Sequence, residues 1–269
     1  MSRLVDRRAL FTSGAAAALL AASGVSLQAA PREGGRLRLA VPRGEMFDAV
    51  LRGTVLDTLT EVGADGILRG ELATEWTADS SASAWRFSLR DDVRFHDGSA
   101  FDASEAARLM QAMGFDALAE GADLRIRLSA PDPDLPYRLS DPALALFRDA
   151  DDMPLGTGPY ALRTLRPGRH MIADRVRPHY RDGQSGWFDS VEVAVIPDAH
   201  VRAEALRDGF VDVAALPSVA GLAGASGLRF HPDAQTAQLA LREGVVLPRR
   251  VGNRAPLDDG RLTRRWWMA

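Results

Sequence analysis

Cysteine is absent from this chain of 269 residues. Its absence removes disulfides, thiolate metal sites, a cysteine nucleophile and a lipid-bearing cysteine together. A protein free of any lipid tether is therefore expected. Lysine is absent as well, so every basic residue is an arginine. That uniformity reads as compositional bias and carries no functional weight. No apolar run approaches the roughly 18–20 residues that a helix needs to cross a bilayer. The clearest one is the short stretch 15–22, AAAALLAA, so a soluble mature protein without a membrane span is expected. The formal charge is −3, and removal of residues 1–30, which carry Arg3, Arg7 and Arg8 against Asp6, takes it to −5. A nucleic-acid partner does not fit that balance.

Signals of catalysis are equally sparse. The five histidines stand at 96, 170, 179, 200 and 231, with no pair spaced i, i+4 and no HExxH. No metal centre or cofactor is expected from that scatter. The segment GQSGW at 183–187 is not a nucleophile elbow, because its second glycine comes one residue early. Asp91-Asp92 and Asp151-Asp152 sit beside turns, where solvated carboxylates are expected rather than an acid–base pair. A protein that binds without doing chemistry is the reading these absences favour.

What is present begins with an export signal. Arg3, Arg7 and Arg8 precede the apolar run 15–22, a charged n-region followed by a short h-region. Arg7-Arg8 with Leu10 and Phe11 is similar to a twin-arginine signal, with the two apolar residues in reversed order. Cleavage is expected after Ala29 or Ala30, leaving about 239 residues, enough for one large or two small domains.

Along the remaining chain, period-2 alternation marks half-buried strands at 36–41 (RLRLAV) and 85–90 (WRFSLR), at Leu124, Ile126 and Leu128, and at Val191, Val193 and Val195. The last of these ends at Pro197. A helix is expected from the N-cap Asp102, with Glu105 answering as a capping box and Ala106, Leu109, Met110 and Met113 on one apolar face. A second runs from the N-cap Asp198 to about Asp208, stopped by Gly209. Val201, Ala205 and Leu206 are its expected buried stripe, with Arg202, Glu204 and Arg207 facing water. The segment 221–227, GLAGASG, reads as a loose loop. Strands interleaved with helices argue an α/β architecture.

Five segments in order resemble one family, the extracellular solute-binding proteins that serve peptide, dipeptide and nickel ABC importers (family 5). They are LATEW at 72–76, WRFSLRDDVRFHDGSAFDASEAARLM at 85–110, GTGPY at 156–160, PHYRDG at 178–183, and DSVEVAVIPDAHVRAEALRDGFVDVA at 189–214. Each also has a plain structural reading. His96, Asp97 and Gly98 after Phe95 form a turn, so His96 is a turn residue before it is a metal ligand. Gly156 and Gly158 are followed by Pro159, Tyr160 and a strand, which argues against a phosphate loop. Trp76 and Trp85 fill the core or its edge, and Pro197 and Asp198 form a strand-to-helix turn.

The resemblance implies a class II periplasmic-binding-protein-like fold, a mixed sheet with flanking helices. Residues 31–217 resemble lobe I, and 218–269 resemble the entry to a second lobe that the chain lacks; the interval from Met110 to Gly156 is also compressed. The implied partners are a small solute, such as a peptide, and an ABC permease in the periplasm. The other reading is a one-lobed interaction module that holds a periplasmic protein. By the resemblance, the ligand wall falls on Arg43, Met46 and Phe47, with Thr54 further on. Arg43 either forks a carboxylate or is a solvated loop arginine. A single wall gives little enclosure, so a second copy is one way to supply the other. Trp266-Trp267-Met268 near the C-terminus either joins such an interface or caps an open sheet edge.

Overall fold

Alternating apolar residues organise two sheets of different character. The structure, a computed structural model, describes residues 34–63, 66–150, 153–219, 222, 225–231, 239–242 and 245. In chain order the elements begin with strand β1 (Arg36–Val41), helix α1 (Glu45–Val55), and strands β2 (Thr60–Val62), β3 (Leu68–Gly70), β4 (Ala73–Ala78) and β5 (Ala84–Leu89). Helix α2 (Ala103–Ala112), strands β6 (Asp116–Glu120) and β7 (Asp123–Arg127), and the single-turn helix α3 (Leu135–Arg138) follow. Then come β8 (Arg148–Ala150), β9 (Met153–Leu155), β10 (Tyr160–Arg166), β11 (His170–Arg175), β12 (Ser190–Val195), helix α4 (Ala199–Arg207), β13 (Val213–Ala215), β14 (Leu228–His231) and β15 (Leu239–Arg242).

The larger sheet has seven strands in the order β10-β11-β12-β1-β13-β15-β14. It is mixed, as expected. Its centre, β1, pairs in parallel with both β12 and β13, and the outer pairings are antiparallel. The two faces of β1 are separated by its alternation. Leu37, Leu39 and Val41 pack with Val191, Val193 and the Phe47 and Val50 face of α1, while Ala40 packs with Ala203 and Leu206 of α4 on the other side. Helices thus cover both faces. The smaller sheet is a four-stranded antiparallel meander, β4-β5-β7-β6. Trp85 and Phe87 of β5 and Leu124 and Ile126 of β7 are buried beneath α2, whose Ala106, Leu109 and Met110 face them. Trp76 lies at the edge of that core, with its ring 6.4 Å from Phe87. Leu128 falls one residue beyond β7.

Two helix expectations are corrected in detail. Asp102 does cap α2, accepting from the Glu105 amide at 2.9 Å. The Glu105 carboxylate, however, does not close a capping box. It receives Arg108 at 2.6 Å and Arg148 at 2.5 Å, because two cations offer more to a carboxylate than one neutral amide. In α4, Asp198 caps as expected, accepting from the His200 amide at 2.7 Å, and Gly209, at φ +80°, ends the helix. The inward stripe is Arg202, Ala203 and Leu206, whereas Val201 is 45% exposed. Arg202 is only 4% exposed. Its guanidinium donates to the carbonyls of Ile196 (2.5 Å), Pro197 (2.9 Å) and Ala215 (2.6 Å). Those carbonyls lie at the end of β13 and just beyond β12, and satisfying them outweighs keeping the arginine in water.

The export segment 1–30, Asp151-Asp152, positions 221, 223 and 224 of the loop 221–227, and the tail 251–269, including Trp266 to Met268, lie outside the described residues.

Candidate functional site

The adjacent parallel strands β1 and β12 send the chain to opposite faces of the sheet. From Val41 it turns through Pro42, Arg43 and Gly44 into α1; from Val195 it turns through Pro197 and Asp198 into α4. Divergence of neighbouring connections opens a crevice outside the carboxyl ends of the strands, the place where open α/β sheets bind ligands. Among the described residues this is where the fold offers a binding edge built by topology.

The two walls of that crevice differ. On the α4 side, Arg202 ties the ends of β12 and β13 together, and Asp198 satisfies the first amides of the helix. On the α1 side, Gly44 at φ +115° is the N-cap and makes no side-chain cap bond, and Glu45 and Asp48 stand in the first turn. Arg43 is exposed beside it, and Met46 is half-buried. A guanidinium next to a helix N-terminus suits an anionic or carbonyl-bearing group.

Of the four wall residues expected from sequence, the structure keeps Arg43 and Met46 at this mouth. Phe47 and Thr54 fall elsewhere. With Val50 they form the i, i+3, i+7 stripe of α1, a helical signal that the sequence carries. Phe47 is 1% exposed in the core, and the Thr54 hydroxyl donates to the Val50 carbonyl at 2.7 Å.

The motif residues make local and tertiary contacts. Asp97 accepts from the Ser99 amide at 2.8 Å, Gly98 has φ +84°, and Phe95 is buried with its ring edge-on to Phe101. His96 reaches across to the Gly158 carbonyl at 2.9 Å. Gly156 and Gly158 lie against the last turn of α1: a Cβ on Gly156 would stand 2.2 Å from the Val55 carbonyl oxygen, and one on Gly158 2.6 Å from it. Pro159 leads into buried Tyr160, whose hydroxyl burial pushes well above its ordinary range. Trp76, Pro197 and Asp198 sit in the structural roles already described.

Sequence reading missed a buried polar junction between the two sheets. The Arg181 guanidinium, from the PHYRDG segment, forks to Glu61 at 2.7 Å and Glu71 at 3.1 Å. Glu71 also receives the Thr58 amide at 2.8 Å and hydroxyl at 2.6 Å. Tyr180 donates to Asp57 at 2.9 Å, and Thr157 donates to the same carboxylate at 2.8 Å. Arg90 lies over the Tyr180 ring at 5.2 Å and donates to the Glu71 carbonyl at 2.7 Å. Nothing in the spacing of these residues links them, since the carboxylates that Tyr180 and Arg181 reach lie 110–123 positions away. A charged residue inside a motif otherwise rich in turn formers was the one available hint.

A mixed sheet with helices on both faces and neighbouring parallel strands whose connections diverge describe an α/β lobe. Residues 119–262, more than half of the chain, match the family model for bacterial extracellular solute-binding proteins, family 5. The chain belongs to that family. It is 29% identical to the nickel-binding periplasmic protein of Escherichia coli (strain K12), over 59% of this chain and 35% of that one. With a probable D,D-dipeptide-binding periplasmic protein of the same organism the identity is 28%, over 56% and 34%. Among solved structures, a nickel ABC transporter protein from Bacillus halodurans superposes with a TM-score of 0.64 at 25% identity, covering 73% of this chain and 46% of that one. The oligopeptide-binding protein AppA from Bacillus subtilis, in complex with a nonapeptide, gives 0.65 at 15% identity, over 74% and 48%; this last likeness speaks to fold alone. The chain thus spans about a third of the length of these curated relatives and about half that of the solved proteins.

Proposed function

We propose that this chain is the solute-binding component of an ABC importer, working in the periplasm after export through its N-terminal segment, and that it holds peptides or related small solutes without chemistry. The observation that carries the reading is the crevice at the carboxyl ends of β1 and β12 in a chain of the family 5 solute-binding proteins. Relatives named for nickel and for D,D-dipeptides add support for a small polar cargo. In this reading Arg43 and the uncapped start of α1 take a carboxylate or carbonyl group of the solute, and Met46 packs against its apolar part. An ABC permease receives the cargo, and the second wall of the site comes from another surface, a second copy of this chain included.

The test is calorimetry of the purified protein against a panel of dipeptides, tripeptides and a nickel–histidine chelate, with Arg43→Ala alongside. A peptide that binds the native protein and binds Arg43→Ala roughly tenfold more weakly, as loss of one charge-assisted contact predicts, supports the assignment. No binding to any of the panel, or equal binding by both proteins, refutes it.

A further inference from the structure

Two imidazoles press against consecutive carbonyls of the GTGPY turn. His179 Nε2 lies 2.9 Å from the Thr157 oxygen and His96 Nε2 lies 2.9 Å from the Gly158 oxygen. A carbonyl only accepts, so each Nε2 carries the hydrogen. For His179 the other nitrogen is also committed: Nδ1 accepts the backbone amide of Arg181 at 3.1 Å. These partners fix one tautomer and one charge state, a neutral ring with a lone pair on Nδ1. A second proton has to enter at Nδ1, where the Arg181 N–H already points, and the bond is then lost. Arg181 is the residue whose side chain fastens Glu61 and Glu71, so the proton acts at the root of the junction between the sheets.

We propose that His179 is a proton-sensitive latch: neutral, it clamps the segment 178–183 onto the GTGPY turn, and protonated, it releases Arg181 from that clamp. The surroundings oppose the charged form. Asp182, which accepts the backbone amide of His179 at 3.0 Å, favours it. Arg181 and Arg175 repel it, as does any charge on His96 across the turn. The Tyr180 ring stands 4.5 Å away, and beyond it lie Arg90 and the Asp57 carboxylate. Burial first, and these cations after it, hold His179 below the ordinary imidazole range, and burial does the same for His96.

The sign follows. Above about pH 6.5 the rings are neutral in folded and unfolded chains alike, and the latch contributes no pH dependence. Below that the unfolded chain takes up protons first, so folding stability falls with pH; once pH passes the folded value of His179, the latch opens within the native state.

The experiment is NMR on the purified full chain between pH 7.5 and 5, following the imidazole nitrogens of His179 and the exchange of the Arg181 amide, with the Val193 amide in β12 as an internal control. Expected are an unprotonated Nδ1 at neutral pH and titration below 6.5. Protection of the Arg181 amide, corrected for intrinsic exchange, should fall by up to about tenfold per pH unit as pH drops towards the titration point of His179 and level off below it, while Val193 does not follow. In His179→Asn the amide oxygen can take the place of Nδ1 as acceptor and cannot titrate, so Arg181 protection should become independent of pH. Titration of His179 at or above 6.5, an Arg181 amide that stays protected through the titration, or the same pH dependence in His179→Asn overturns the proposal. If the variant does not fold, the first two readouts on the native protein decide it.

Discussion

Replacing Arg181 by methionine tests whether the junction between the sheets holds the fold together. The guanidinium contacts two carboxylates at 2.7 and 3.1 Å. At an effective dielectric constant near 20, each contact at about 3 Å corresponds to roughly 5 kcal/mol of gross attraction. Withdrawing the ions from water opposes that by several kcal/mol apiece, so the intact cluster is worth little net. Removing only the cation is a different matter. The side chains of Glu61 and Glu71 are 8% and 1% exposed, and their desolvation remains when the attraction has gone. A loss of about 3–5 kcal/mol follows, which for a chain of this size lowers the melting temperature by roughly 6–20 °C.

Denaturant titration followed by tryptophan fluorescence measures the loss directly. Trp85 is buried in the core of the four-stranded sheet and Trp187 packs against that of the seven-stranded one, so both sides of the junction report. The decisive comparison is Arg181→Met with Glu61→Gln added. The second change removes one stranded charge while keeping a side chain that can hydrogen-bond, and it should restore part of the stability. A loss below about 1 kcal/mol for Arg181→Met, the scale of an exposed pair, would refute the reasoning. So would a double variant less stable than the single one.

Two further outcomes follow from the same geometry. The bond from Arg108, and then the one from Arg148, lower the Glu105 carboxyl from its ordinary 4.5 to about 2. Its contribution to stability is thus complete above pH 4.5 and disappears as pH falls towards 2; Glu105→Gln should lose about 1 kcal/mol at neutral pH and show a flatter stability profile across that window, and an unchanged acid profile would contradict the assignment. At Gly158, alanine would bring a Cβ to 2.6 Å from the Val55 carbonyl oxygen, a backbone atom that cannot swing aside, so Gly158→Ala should lose about 1–3 kcal/mol by denaturant titration, and a variant as stable as the parent would show that the turn can move away from α1.

Much of the scaffold was legible because it rests on local rules. Leu37, Leu39 and Val41 had to face one side and Ala40 the other, whatever the partner strands were, and Asp102 and Asp198 had to cap because each precedes an apolar helical stripe. The rules failed where tertiary demand outranked local preference. Arg202 looks like a solvent-facing helical arginine until β12 and β13 end beside it and three backbone carbonyls take its guanidinium. Glu105 fits a capping box until Arg148, 43 positions away, arrives at its carboxylate. The candidate site divides along the same line. Arg43 and Gly44 follow from a strand ending in a turn, whereas the crevice beside them exists only because β12, more than 140 residues later, pairs in parallel with β1 and leaves by the opposite face. The junction of Asp57, Glu61, Glu71, Tyr180 and Arg181 is the extreme case. Each residue alone reads as an ordinary surface polar group, and what keeps them buried is that they satisfy one another, a property of the set that no single position carries.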